Sequence, residues 1–133
     1  MDPALRRLVL ERASRRCEYC LLHCGHQPSV LFHLEHIIAR QHGGNDTPDN
    51  LALACHRCDL RKGPNLTGLD PITGELTRLF HPRRDRWDEH FKFSQGEING
   101  LTDVGRTTAA LLQMNSPDRV ELRRQLMEAG WWG

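Results

Sequence analysis

Leu5, Leu8 and Val9 recur at helical spacing at the start of the chain, with Arg6, Arg7, Arg15 and Arg16 among the polar positions. Asp2 can cap such a helix and Pro3 can open its first turn. The spacing predicts a helix within residues 1–16, stopping near 14–16. The period then changes. Phe32 and Leu34 alternate with His33 and Glu35, which predicts a strand over 30–38. The apolar run Leu51-Ala52-Leu53-Ala54 predicts a second, shorter strand. Residues 21–30, with Gly25 and Pro28, read as loop, as does the stretch from Gln41 to Asn50, dense in Gly, Asn, Asp and Pro. A short helix follows Cys55 and ends near Gly63-Pro64.

Beyond residue 63 the pattern is more broken. Asp70-Pro71-Ile72-Thr73-Gly74 is a turn between two extended pieces, the second a strand over 76–80. Residues 87–93 and 98–101 predict a hairpin broken near Gly96. Thr102 can cap a helix over 103–114, and Ser116-Pro117 can open a last helix that Gly130 ends. Trp131 and Trp132 after it would be adhesive if exposed, so they are expected to pack back or to meet a partner. The fold class is α+β, read as a single domain over 1–133, with a core over 17–63 and a C-terminal elaboration of hairpin and helices over 64–133.

Composition changes this picture little. The chain has 133 residues, 38% hydrophobic and 26% charged, which suits one ordinary folded domain. A formal net charge of +1 argues neither for nor against a nucleic-acid partner. The longest apolar runs, 51–54 and 109–112, are far below the roughly 20 residues that cross a bilayer, so no membrane is implied. The first residues lack the apolar core of a signal peptide. The expected compartment is therefore the cytoplasm. In that reducing setting the five cysteines read as metal ligands or buried thiols rather than disulfides.

Four of those cysteines form two pairs, Cys17-x-x-Cys20 and Cys55-x-x-Cys58. Each pair sets two thiolates on one tight knuckle, at a bite suited to tetrahedral zinc. The pairs are farther apart than in a common zinc ribbon, and a strand-loop-strand unit can fill the gap. The competing reading is a set of buried or redox-active thiols. A four-cysteine zinc site would tie the N-terminal helix to the middle of the chain and add its binding free energy to folding. Cys24, the fifth, reads as a free thiol that could also stand in for Cys20.

Between the pairs, the carboxylate of Glu35 sits beside His36 at a strand end. A Gly43-Gly44 loop follows, Asn50 opens the next strand, and a second carboxylate, Asp59, precedes Arg61 and Lys62. Two carboxylates can hold a hard divalent cation while leaving positions for water and phosphate. A neutral imidazole can take a proton from an attacking water. Basic neighbours suit a phosphate backbone. These are the parts of metal-assisted phosphodiester hydrolysis. With eight histidines in the chain, Glu35 beside His36 would mean little without that ordered set.

Glu35-His36, Gly43-Gly44, Asn50-Leu51, Cys55-His56-Arg57-Cys58-Asp59 and Lys62-Gly63 together resemble the HNH endonuclease family, of ββα-metal fold, in its subclass with two CxxC knuckles. The resemblance implies a ββα-metal core and a metal-dependent DNA endonuclease. His36 would be the general base and Glu35 a metal ligand. Asn50 would orient the loop and histidine, and Asp59 would fill the last position of the motif, usually Asn or His. It implies structural Zn2+ at Cys17, Cys20, Cys55 and Cys58, and Mg2+ or Mn2+ at Glu35 and Asp59, with Arg61 and Lys62 as accessory groups; His33, on the same strand face as Glu35, is a further accessory candidate by alternation. Glu35 is one methylene longer than the commoner Asp, and Asp59 adds a carboxylate. The competing function is a non-catalytic zinc-dependent module that binds nucleic acid or docks a partner. Arg78, Arg83, Arg84 and Arg86, near Trp87, Phe91 and Phe93, are a further candidate surface for a nucleic-acid backbone. Oligomeric state, sequence specificity, and nicking against double-strand cutting are open at this level.

Overall fold

In the computed structural model, which describes residues 2–25 and 30–132, the chain begins as helix α1 (Pro3–Arg12). Asp2 caps it by accepting from the Ala4 amide at 3.0 Å, and Pro3 occupies the first turn, where its missing N–H costs nothing. The helix ends at Arg12, earlier than its spacing suggests, because Ser14 and Arg15 turn into the left-handed region at φ 53° and 59°. That reversal delivers the chain to Cys17. Of the loop expected over 21–30, residues 26–29 lie outside the described residues.

Strands β1 (Phe32–His36) and β2 (Leu51–Cys55) pair antiparallel, with Phe32 opposite Cys55 and His36 opposite Leu51. β1 is shorter than the alternation at 30–38 suggests. All five residues of β2 are buried, since the strand is covered on both faces. Leu51 and Leu53 pack against Val9 of α1. The alternate small residues Ala52 and Ala54 face the other way and admit helix α2 (His56–Lys62), which Gly63 ends at φ 51°. Arg12 fastens α1 to this unit by donating to the carbonyls of Pro48 (3.0 Å) and Leu51 (2.7 Å).

Two compact units divide the chain. One holds residues 1–65 together with His81–Arg84; the other holds 66–80 and the chain from Asp85 onward. The second unit is built from two hairpins and two helices. β3 (Thr67–Leu69) pairs with β4 (Leu76–Arg78) across the expected Asp70–Gly74 turn, where buried Asp70 accepts from the Ile72 amide and from Arg106. Strand β4 ends at Arg78, short of the expected residue 80. Residues 87–90 depart from expectation. They form a helical turn, α3 (Trp87–His90), and only then does β5 (Phe91–Ser94) pair with β6 (Glu97–Gly100).

Helix α4 (Asp103–Leu111), capped by the Thr102 hydroxyl accepting from Gly105, ends before the expected residue 114. It lies against both hairpins. Gly105 permits that approach: a Cβ there would fall 2.0 Å from the His90 carbonyl oxygen. Helix α5 (Pro117–Glu128) contributes buried Arg123, which donates to the carbonyls of Gly96 and Met114. Trp132 packs back, stacked on Phe93 with ring centroids 5.0 Å apart. Among the described residues, no helix is long and apolar enough to cross a membrane.

Gly105→Ala is expected to destabilise the second unit by about 1–3 kcal/mol, the usual cost of overpacking. Differential scanning calorimetry would show a lowered transition with unchanged metal content. An unchanged transition would mean that α4 can withdraw from the His90 carbonyl without loss.

Candidate functional site

The two cysteine pairs converge. One ligand atom from each of Cys17, Cys20, Cys55 and Cys58 lies within 4.8 Å of the others, and all four residues are buried. The first knuckle closes locally: the Cys17 amide donates to the Leu22 carbonyl, and the Leu21 amide donates back to the Cys17 carbonyl, both at 2.9 Å. The second knuckle is the junction of β2 and α2. Hydrogen bonds from Cys17, Cys20 and Cys58 push the Cys55 thiol far down, while burial pushes Cys17 up. Among bare thiols Cys55 is thus favoured as thiolate over Cys17 and Cys58. A tetrahedral soft dication is what allows four to ionise together, and the four-sulfur set fits zinc. Cys24 lies outside the cluster and is half-buried.

Asn50 holds the loop between β1 and β2. Its Oδ1 accepts from the Ile38 amide at 2.8 Å, and its Nδ2 donates to the carbonyls of Ile38 (3.0 Å) and Asn45 (2.9 Å). Gly44 lies against this clamp; a Cβ would sit 1.7 Å from the Ile38 oxygen. The clamp fixes a loop that carries Asp46, which sequence reasoning missed. Asp46 Oδ1 is 2.6 Å from His36 Nε2, and Arg40 also reaches that carboxylate at 2.9 Å. His36 and Arg40 hold the Asp46 carboxyl below its ordinary range. A carboxylate only accepts, so His36 Nε2 is the protonated nitrogen and Nδ1 carries the lone pair of the neutral ring.

His36, Glu35, Ala39, Arg40, Asp59 and Leu60 line a cavity of about 340 Å³. Asp59 is partly exposed there. Glu35, expected to face a metal, is 3% exposed with both oxygens engaged: Oε1 is 2.7 Å from Lys62 Nζ, and Oε2 accepts from Tyr19 Oη at 2.6 Å. The extra methylene of Glu lets the carboxylate reach inward to these partners. Lys62, expected as a phosphate contact, is 2% exposed and also donates to the Ile37 carbonyl at 2.8 Å. Burial pushes the Glu35 carboxyl above its usual range against the opposing pull of Lys62. His33, expected as an accessory group near the metal, instead meets His56, with Nε2 2.9 Å from Nδ1, at the start of α2. Arg61 is exposed.

Comparison with known proteins agrees with the resemblance in the motifs. The family model described as HNH endonuclease matches residues 17–65. The chain is also 26% identical over 127 residues to the Septu protein PtuB of Bacillus thuringiensis, an alignment covering 94% of this chain. The chain spans 46% of that relative's length. No solved structure matches it.

Two outcomes follow from this geometry. Cys55→Ser should lose the bound metal and unfold the first unit, whereas Cys24→Ser keeps both, because only the former removes one of the four clustered sulfurs. Elemental analysis with circular dichroism checks this, and a folded Cys55→Ser protein with full zinc would refute it. Lys62→Met should cost about 3–5 kcal/mol by leaving a buried carboxylate unpaired. The Glu35 carboxyl is raised, so the stability tied to it is full below the ordinary carboxylate range and is lost as pH rises through the raised value. Removing Lys62 raises it further. The deficit of Lys62→Met in thermal denaturation should therefore grow as pH increases, and Glu35→Gln in that background should recover part of it.

Proposed function

From an HNH endonuclease segment over residues 17–65, we propose that this chain hydrolyses phosphodiester bonds in DNA, with His36 as general base. The observation that carries the reading is the His36–Asp46 pair at the rim of a cavity shared with Asp59. Asp46 accepts from Nε2, sets the tautomer, and leaves Nδ1 to receive the proton of an attacking water. Its negative charge also stabilises the imidazolium as it forms. Asn50 keeps the loop in place and so keeps Asp46 on His36. It is a positioning residue and does not touch substrate.

A hard divalent ion, Mg2+ or Mn2+, fits this site through Asp59. Such ions are commonly held by one or two carboxylates with water and substrate phosphate completing the shell. When bound, the ion would polarise the phosphate and stabilise the leaving oxygen. The Asp59 carboxylate is the charged ligand that the cavity offers, while Glu35 is taken up by Lys62 and Tyr19. The structural zinc would stay at the four cysteines and take no part in the chemistry. The competing reading, a non-catalytic binding module, draws its support from the same engagement of Glu35.

Single-turnover cleavage of a labelled duplex separates the two. His36→Ala is expected to lose about 10²–10⁴ in rate, the usual share of a general base, while fold and DNA binding persist. Asp46→Asn should fall between wild type and His36→Ala, because an amide can present its N–H to Nε2 and reverse the tautomer. Cleavage by His36→Ala within a few-fold of wild type would remove His36 as the base. No magnesium- or manganese-dependent cleavage by wild type would leave the binding module.

A further inference from the structure

The loop that carries Asp46 also lines a groove of about 430 Å³. Its walls include Gly43, Asn45, Thr47 and Asp49 from the loop, and Arg83 and Arg84 from the strap His81–Arg84. The strap belongs to the first unit although the residues on both sides of it in sequence belong to the second. Its conformation is fixed from within, since His81 Nδ1 accepts from the amides of Arg83 and Arg84, both at 3.2 Å. Arg83 anchors it by an ion pair with Glu18, whose other oxygen accepts from the Leu53 amide on β2 at 2.8 Å.

Four arginines occur between residues 78 and 86, and their surroundings differ. Arg78 is neutralised by Asp85 at 2.7 Å, and Arg86 stands 3.7 Å from Asp88 and 4.0 Å from Glu89. Arg83 is spent on Glu18, yet its buried Nε–H has no acceptor among the described residues. Burial and, after it, the charge of Arg12 push the Arg83 guanidinium down to about 10, so a further anion near it would be welcome. Arg84 is exposed, and its guanidinium makes no hydrogen bond or ion pair among the described residues. Asp49, the carboxylate on the groove wall, lies in the field of Arg12, which offsets it. Asn45 lines the groove and accepts from Thr47 on its Oδ1, which leaves its amide N–H groups unspent by that bond.

We propose that this groove is a phosphate subsite for a nucleic-acid backbone, with the Arg84 guanidinium as its charged contact and the Asn45 amide as a further donor, while half-buried Arg83 adds its positive charge from beneath. Arginine presents paired donors to phosphate oxygens, and a rigid strap spares the ordering cost of a mobile side-chain carrier. Asn45 lines the groove and its neighbour Asp46 holds His36, so the two sites share one loop. A backbone lying in the groove would thus continue toward the cavity at His36. The inference rests on the nuclease reading for the identity of the polyanion, and its test is read from binding rather than cutting.

Fluorescence anisotropy of a labelled mixed-sequence duplex, titrated with the full chain across a salt series, provides the test. All proteins carry His36→Ala so that the duplex stays intact. Arg84→Glu is expected to weaken binding about tenfold and to lower the slope of log affinity against log salt by about one, as for the loss of one phosphate contact. Arg84→Lys should keep most of the affinity, and Arg86→Ala should leave both quantities unchanged. Zinc content and melting should match the parent throughout. Parental affinity and slope in Arg84→Glu would overturn the proposal. So would an Arg86→Ala protein that loses as much as an Arg84→Ala protein, because the effect would then be general surface charge. Persistent cutting by His36→Ala would refute His36 as the base, and the same titration with chelator, where the duplex stays whole, would still read this groove.

Discussion

Four sulfurs must meet at one point, and that requirement sets the geometry of the first unit. Cys55 ends β2 and Cys58 lies in the first turn of α2, so gathering them with Cys17 and Cys20 fixes where the strand stops and the helix starts. The register of β2 against β1 is then set, with Phe32 opposite Cys55 and His36 opposite Leu51. Asn50 immediately precedes β2 and Asp59 immediately follows Cys58, so both are placed by the same constraint. A cluster that would contribute folding free energy on binding zinc therefore positions residues that take no part in holding it.

Charge is distributed around the cavity by side-chain length and burial. Glu35 and Asp59 both come near it, and two ionised carboxylates close together would repel each other and any phosphate. The structure separates their tasks. Glu35 reaches inward, where Lys62 and the protonated phenol of Tyr19 take its two oxygens. Burial and the adjacent Glu35 charge push the Tyr19 hydroxyl up, which keeps it a donor. Asp59 stays partly exposed on α2 and carries its charge at the cavity. The two departures from the commoner motif thus take different places: the longer acid is satisfied inside by Lys62, and the acid at position 59 lines the cavity.

The parts legible in the sequence are those with local chemistry. CxxC spacing encodes a knuckle because both thiols belong to one turn, and Asp2-Pro3 and Thr102 encode helix starts because caps act within three residues. The amphipathic pattern of α1 and the apolar run of β2 survive for the same reason. What escaped depends on partners distant in sequence. Lys62 looks like a surface cation at a helix end, and its burial follows only once Glu35 lies beneath it. Asp46 sits among turn residues, where an exposed carboxylate carries no signal until the Asn50 clamp brings it to His36. His33 and Glu35 share a strand face as alternation requires, but α2 divides that face: its first residue, His56, meets His33, and its last, Lys62, meets Glu35. Residues 87–90 failed differently. Four residues are too few to express a period, and only the chain's path into β5 makes them helical.

Counting basic residues would have assigned the stretch from 78 to 86 to nucleic acid as a whole. Pairing shows why a count is a poor guide. A guanidinium that already faces a carboxylate offers little net charge, and it must break that contact to take a phosphate. Arg78 meets Asp85 in one compact unit, and Arg83 meets Glu18 in the other. Charge on a fold surface therefore has to be read as what remains after internal neutralisation. By that measure the neutral composition of the chain, a net +1, conceals a specific asymmetry. The loop between the strands has acidic groups held by His36, Arg40 and Arg12, and the groove it lines also holds the strap's unneutralised Arg84. At such a loop the carboxylates already face cations and one guanidinium is left over, a balance that suits holding phosphate beside a carboxylate.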